Sequence, residues 1–177
     1  MQVFVYAPED FTNLCVLTRT LDALGLNLCY VFDPHRIVRP RYGRSYARKL
    51  KTVSAGAFFR IEFVPVNAPL KFIAGYGGHT IAKVPDQSAT SLHGFTFGQD
   101  DLLVLGSEGG GLPTELIKAC DFRLAIPQRG ITQSLNLCVA SGIILAEWFR
   151  QMQPSIRVAE AWSPTSGQAR TQNERHH

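Results

Sequence analysis

The apolar run Leu102-Leu103-Val104-Leu105, which ends in the turn Gly106-Ser107-Glu108-Gly109-Gly110-Gly111, constrains the fold more than any other segment. A run of strand length with no polar alternation reads as a strand buried on both faces. Such strands belong to parallel sheets covered by helices on both sides, where ligands bind beyond the carboxyl ends of the strands. Four glycines and one carboxylate fall within six residues at that end. They favour a ligand site over a plain tight connection, because glycine lets backbone approach a ligand closely. The segment has neither the Gly-Lys-Ser/Thr of a Walker loop nor the spaced acidic residue of a dinucleotide fingerprint.

The rest of the chain alternates in the same manner. Strands are predicted over residues 2–7, 27–32, 58–66, 79–84, 101–105 and 122–126. Helices are predicted over 12–24, 45–50, 68–75, 113–119 and 134–152, the first with Thr12 as N-cap and Gly25 at the C′ position. This alternation implies an α/β domain with a mostly parallel sheet flanked by helices. One domain over residues 1–153 suits the chain of 177 residues. The C-terminal tail, 154–177, is expected to be disordered; after Trp162 no large apolar residue occurs, so Ser163 to His177 carries that expectation.

Hydrophobic residues at 45% and charged residues at 18% are those of a globular domain. No secretory signal and no apolar run of bilayer-spanning length is present, so the cytoplasm is the expected location. Cys15, Cys29, Cys120 and Cys138 lack metal-ligand spacing and read as buried free thiols, and no metal is expected. The net charge is a modest +4, but Arg36, Arg39, Arg41, Arg44, Arg48, Lys49 and Lys51 are concentrated in one segment. That segment is either a solvated basic loop or a binder of nucleic-acid phosphates. The absence of any acidic residue from Pro34 through Arg60 favours phosphates.

Two further segments carry candidate chemistry. On the first helix Arg19 follows six residues after Asn13, which leaves the two on opposed faces. They share a site only if the helix's N-terminal end and one flank both border it; otherwise Asn13 caps and Arg19 is solvated. The segment from Ile126 through Asn136 is a second loop between strand and helix, with Thr132 or Ser134 able to cap. Asn136 lies in the expected first turn, where it either bonds locally to backbone or faces the cleft of the glycine-rich loop. Two polar, glycine-bearing loops at one sheet edge make a single pocket the economical reading.

Together these segments resemble the three motifs of the SpoU (TrmH-type) RNA 2′-O-ribose methyltransferases, of the SPOUT superfamily. Asn13 with Arg19 and Gly25 is similar to the first, Gly106 through Leu112 to the second, and Ile126-Pro127 through Ser134-Leu135-Asn136 to the third. Order and separations match over roughly residues 2 to 151. One departure is Cys15, where the family commonly has glycine. The resemblance implies a C-terminal deep trefoil knot, a homodimer, S-adenosyl-L-methionine as cofactor, and tRNA or rRNA as substrate. It implies cofactor contacts from Leu105, Gly106, Gly111, Ile126, Gln128, Ser134 and Leu135. It further implies catalytic roles for Arg19, Asn13, Glu108, Ser134 and Asn136. A guanidinium stays protonated in proteins, so Arg19 is expected to clamp the 2′-oxygen or a phosphate rather than act as base. Glu108, Ser134 and Asn136 are expected to hold the ribose and orient Arg19. RNA contacts are expected from Arg36, Arg39, Arg41, Arg44 and Arg48. The alternative is a knotted RNA-binding module that has lost methylation. The helix over 134–152 also fits a dimer, since Leu135, Val139, Ile143, Ile144, Leu145, Trp148 and Phe149 spread over much of its circumference.

Overall fold

The computed structural model describes residues 1–38, 44–86 and 88–153. Among the described residues seven strands form one sheet in which every pairing is parallel. They are β1 (Gln2–Tyr6), β2 (Leu28–Phe32), β3 (Glu62–Pro65), β4 (Thr80–Lys83), β5 (Thr90–Ser91), β6 (Leu102–Leu105) and β7 (Phe122–Ala125). The helices are α1 (Phe11–Ala23), α2 (Arg44–Ser54), α3 (Pro69–Ala74), α4 (Thr114–Ala119) and α5 (Leu137–Met152).

The order across the sheet is β3-β2-β1-β6-β4-β7-β5. The apolar run sits where its composition demands: all four residues of β6 are buried between β1 and β4. Alternate residues divide between two cores. Val3, Val5, Ile81, Leu103 and Leu105 face Leu14, Leu17 and Leu21 of α1 and Ile144, Leu145 and Trp148 of α5. Phe4, Leu102 and Val104 face Ile73 of α3 and Leu116 of α4. Each fully buried leucine contributes roughly 1.5–3 kcal/mol, so the helices are held chiefly by these faces.

Several boundaries differ from the sequence expectation. Asp10, not Thr12, caps α1: its Oδ1 accepts from Thr12 N at 2.7 Å. Gly25 follows the helix at φ +74°, as expected of a C′ glycine. The strand expected over 58–66 is shorter, because a 3₁₀ turn (Ala57–Phe59) entered through left-handed Gly56 uses its first part. The last helix starts at Leu137 with Asn136 as N-cap, so Asn136 precedes the first turn and Ser134 does not cap. The two-residue strand β5 was not expected.

Candidate active site

Order and direction together fix where the site is. Because β4 lies between β6 and β7, the C-terminal ends of these strands bring together Lys83, the 106–112 loop and the 126–136 loop. A cavity of about 560 Å³ opens there. Its wall includes Asn13, Lys83, Leu105, Gly106, Glu108, Gly111, Ser134, Leu135, Asn136 and Ala140. That volume is typical of small-molecule sites, as are apolar walls with a few convergent polar groups.

The glycine-rich loop closes on itself. Ser107 and Gly111 exchange backbone hydrogen bonds, each 3.1 Å, and Gly111 adopts φ +66°. A Cβ on Gly106 would lie 2.2 Å from the Gly111 carbonyl carbon and 2.4 Å from Leu112 N. Gly106 is therefore required first by the packing of its own loop, before any ligand approaches.

Glu108 anchors a polar chain across the site. Its Oε2 accepts from Glu9 N at 2.9 Å, and its Oε1 accepts from Asp10 N at 3.4 Å and Asn13 Nδ2 at 3.0 Å. Ala7, left-handed at φ +47°, turns the chain out of β1 just before these amides. Asn136 Nδ2 then donates to Asn13 Oδ1 at 3.0 Å, while Asn136 Oδ1 accepts from Cys138 N at 2.8 Å. The Cys138 thiol donates to the Asn13 carbonyl at 2.9 Å. Thus Glu108, Asn13 and Asn136 form one continuous network that joins the start of α1 to the start of α5. Burial pushes the thiols of Cys15 and Cys138 up to about 11, so both are protonated at neutral pH and neither is a thiolate nucleophile.

Most of the expected site residues meet here, and some do not. Ile126 and Gln128 are not among the residues lining the cavity. Ile126 packs against the core and Gln128 is exposed. Arg19 is exposed, with Nη1 3.4 Å from the Val53 carbonyl of α2; it is bonded to none of the Glu108, Asn13 or Asn136 side chains. The carboxylate therefore orients Asn13 instead of Arg19. Cys15 is fully buried in α1 and is not in the cavity wall, so the departure at that position leaves the wall unaltered.

In the basic segment, Arg36 is exposed at φ +57° in a turn whose Ile37 and Val38 amides donate to Asp33. Arg48 is exposed on α2. Arg39 and Arg41 lie outside the described residues, as do the Arg44 side chain and the expected tail. Arg60, at the far end of the acid-free stretch, is taken by a two-pronged bond to Asp22, both contacts 2.7 Å. Lys83 is a charged cavity residue that sequence reasoning passed over, since the end of an ordinary strand gives no signal until the strand order is known.

Residues 1–146 match the sequence model of the SpoU rRNA Methylase family, and the chain belongs to that family. Over 147 residues it is 29% identical to the 23S rRNA (guanosine-2'-O-)-methyltransferase RlmB of Acinetobacter baylyi, covering 80% of this chain and 56% of that protein. Over 154 residues it is 26% identical to the tRNA (guanosine(18)-2'-O)-methyltransferase of Aquifex aeolicus, covering 85% of this chain and 69% of the relative. Its fold is similar to that of the SpoU methyltransferase AviRb from Streptomyces viridochromogenes in complex with the cofactor AdoMet. That match has a TM-score of 0.69 and 26% identity, and covers 87% of this chain and 61% of the other. The chain thus spans a little over half the length of the first of these relatives.

Proposed function

We propose that this protein transfers a methyl group from S-adenosylmethionine to the 2′-oxygen of a ribose in tRNA or rRNA. The cavity between the 106–112 and 126–136 loops carries this reading, in a chain whose family is defined by such enzymes. The residues present fit the cofactor: the wall is partly apolar, through Leu105, Leu135 and Ala140, and includes residues that carry hydroxyl, amide and ammonium groups. Bound there, S-adenosylmethionine supplies an electrophilic methyl on a sulfonium.

Leu105, Gly106, Gly111, Ser134 and Leu135 would line the cofactor, with Ile126 and Gln128 shaping the loop outside the lining. Asn13 and Asn136, held by Glu108, would hold the ribose. Glu108 is a strut rather than a base, because its oxygens already accept from two backbone amides and Asn13. The proton would leave to a phosphate oxygen or water.

Arg19 would clamp charge developing on the 2′-oxygen, and the reading that uses it best is a homodimer. Val16 on α1 and Val139 and Ile143 on α5 remain 37%, 50% and 39% exposed on adjacent helices. Val16 and Arg19 share one exposed face of α1. A second copy seated there would cover the apolar residues, and Arg19 of one protomer would serve the cavity of its partner. Arg36, Arg39, Arg41, Arg44 and Arg48 would take RNA phosphates. The catalytic unit would be residues 1–153, with α5 threaded as the family's knot and the tail beyond it, acting in the cytoplasm. An impaired binding module is not favoured, since Cys15 is clear of the cavity wall.

Calorimetry with S-adenosylmethionine, followed by mass spectrometry of ribose-methylated nucleosides after incubation with bulk tRNA and rRNA, tests the reading. Binding with 2′-O-methyl product is expected; binding without any methylated nucleoside would overturn it.

A further inference from the structure

Lys83 is the last residue of β4, the strand between the two that feed the site loops. It lines the same cavity as Gly106, Leu135 and Asn136 and is half-buried. Among the described residues its ammonium has no ion pair within 4.0 Å and no hydrogen-bond partner. The one carboxylate in the wall, Glu108, is already engaged by Glu9 N, Asp10 N and Asn13. Lys83 is therefore a cavity-lining residue whose ammonium has no counter-ion among the described residues. A half-buried charge left unpaired is costly, and such groups are normally matched by a partner.

Resting on the function proposed above, we propose that Lys83 binds the carboxylate of the methionine portion of the cofactor. The chemistry of the ligand selects this group. S-adenosylmethionine carries two positive centres, the sulfonium and the amine, both of which a lysine repels. Its adenine and ribose are neutral. The carboxylate is its one anion, so a cavity lysine tolerates the ligand only with that end nearby. Burial lowers the Lys83 pKa from its ordinary value, as expected of an ammonium whose partner arrives with the ligand. The assignment also orients the ligand, with the methionine end towards the end of β4.

The test uses three ligands and three proteins. S-adenosylhomocysteine and 5′-methylthioadenosine share the adenosine and thioether, but only the first has the carboxylate and amine; the decarboxylated homocysteine analogue separates those two groups. Affinities are measured by calorimetry on the full chain, wild type and Lys83→Met. Wild type is expected to bind S-adenosylhomocysteine tighter than its decarboxylated analogue by on the order of tenfold to a hundredfold, the range for a hydrogen bond between charged groups. In Lys83→Met that preference should vanish, while methylthioadenosine affinity holds. Lys83→Arg should retain most of the preference. A wild-type protein indifferent to the carboxylate overturns the proposal whatever the variants do. So does a Lys83→Met protein that keeps the preference, or one that loses only RNA affinity. If wild type binds none of these ligands, the methyltransferase reading fails as well; if it binds them without regard to Lys83, only this assignment fails.

Discussion

Asn136 and Asn13 stand 123 residues apart in the chain and are joined side chain to side chain, Nδ2 of the first 3.0 Å from Oδ1 of the second. Asn136 holds α5 at the same time, through Oδ1 and the Cys138 amide. One residue thus serves both as helix cap and as the link that fixes Asn13.

These two roles separate on substitution. Asn136→Ala removes both, and loss of the cap is expected to cost about 1 kcal/mol, lowering Tm by about 2–4 °C in a domain of this size. Asn136→Asp keeps the cap acceptor and loses the donor to Asn13. Its Tm should stay near wild type while turnover falls. Equal turnover of wild type and Asn136→Asp would deny the Asn13 link any part in catalysis.

At Gly106 a single methyl group suffices to disrupt the site, because the added Cβ meets loop backbone at 2.2 Å. Gly106→Ala is expected to abolish cofactor binding and also to lower thermal stability. A variant with normal Tm and lost binding would instead point to a clash with ligand alone.

Arg19→Ala is expected to lower turnover by about 10²–10³, the typical loss for one transition-state contact, with cofactor affinity unchanged. Arg19→Lys should also lose most turnover, since it keeps the charge without the planar fork. If Arg19 serves the partner's cavity, co-refolding equal amounts of Arg19→Ala and Gly106→Ala should restore activity. Half the dimers would then be mixed with one intact site each, so about a quarter of wild-type activity is expected. No recovery on mixing would assign Arg19 to its own chain or to the surface.

Arg36 and Arg48 are exposed, and neutralising each should reduce the salt dependence of RNA binding by about one unit of slope per lost phosphate contact. Cofactor affinity should not move. Unchanged slopes measured by filter binding between low and moderate salt would return both residues to the solvated surface.

The sheet was legible because its central strands are apolar without interruption. Leu102 through Leu105 could be placed on no other kind of strand. Strand order was not legible, since β1 pairs with β6 through residues about a hundred positions away, and local pattern carries no record of such a partner. The omission of Lys83 follows from this, for only the order β6-β4-β7 makes the end of β4 a site position. The residues at the start of 58–66 were misjudged because Phe58 has the composition of a strand. It instead packs in the 3₁₀ turn against Phe11 and Phe63, ring centroids 5.4 and 4.9 Å away. Asn13, Glu108 and Asn136 could be nominated from their motifs, but not the bonds among them.

The parallel order has a consequence for biosynthesis. The cavity draws on residues 13, 83, 108 and 136, and the last of these is held by a helix that ends at Met152. While the N-terminal half emerges from the ribosome, β1 has β2 beside it but lacks β6, and its other edge stays open. Contacts so distant in sequence form slowly, and open strand edges invite aggregation. A nascent chain halted before α5 would therefore hold all seven strands but lack the helix that Asn136 caps, which makes the arrival of α5 the step at which the polar network of the site can first be completed.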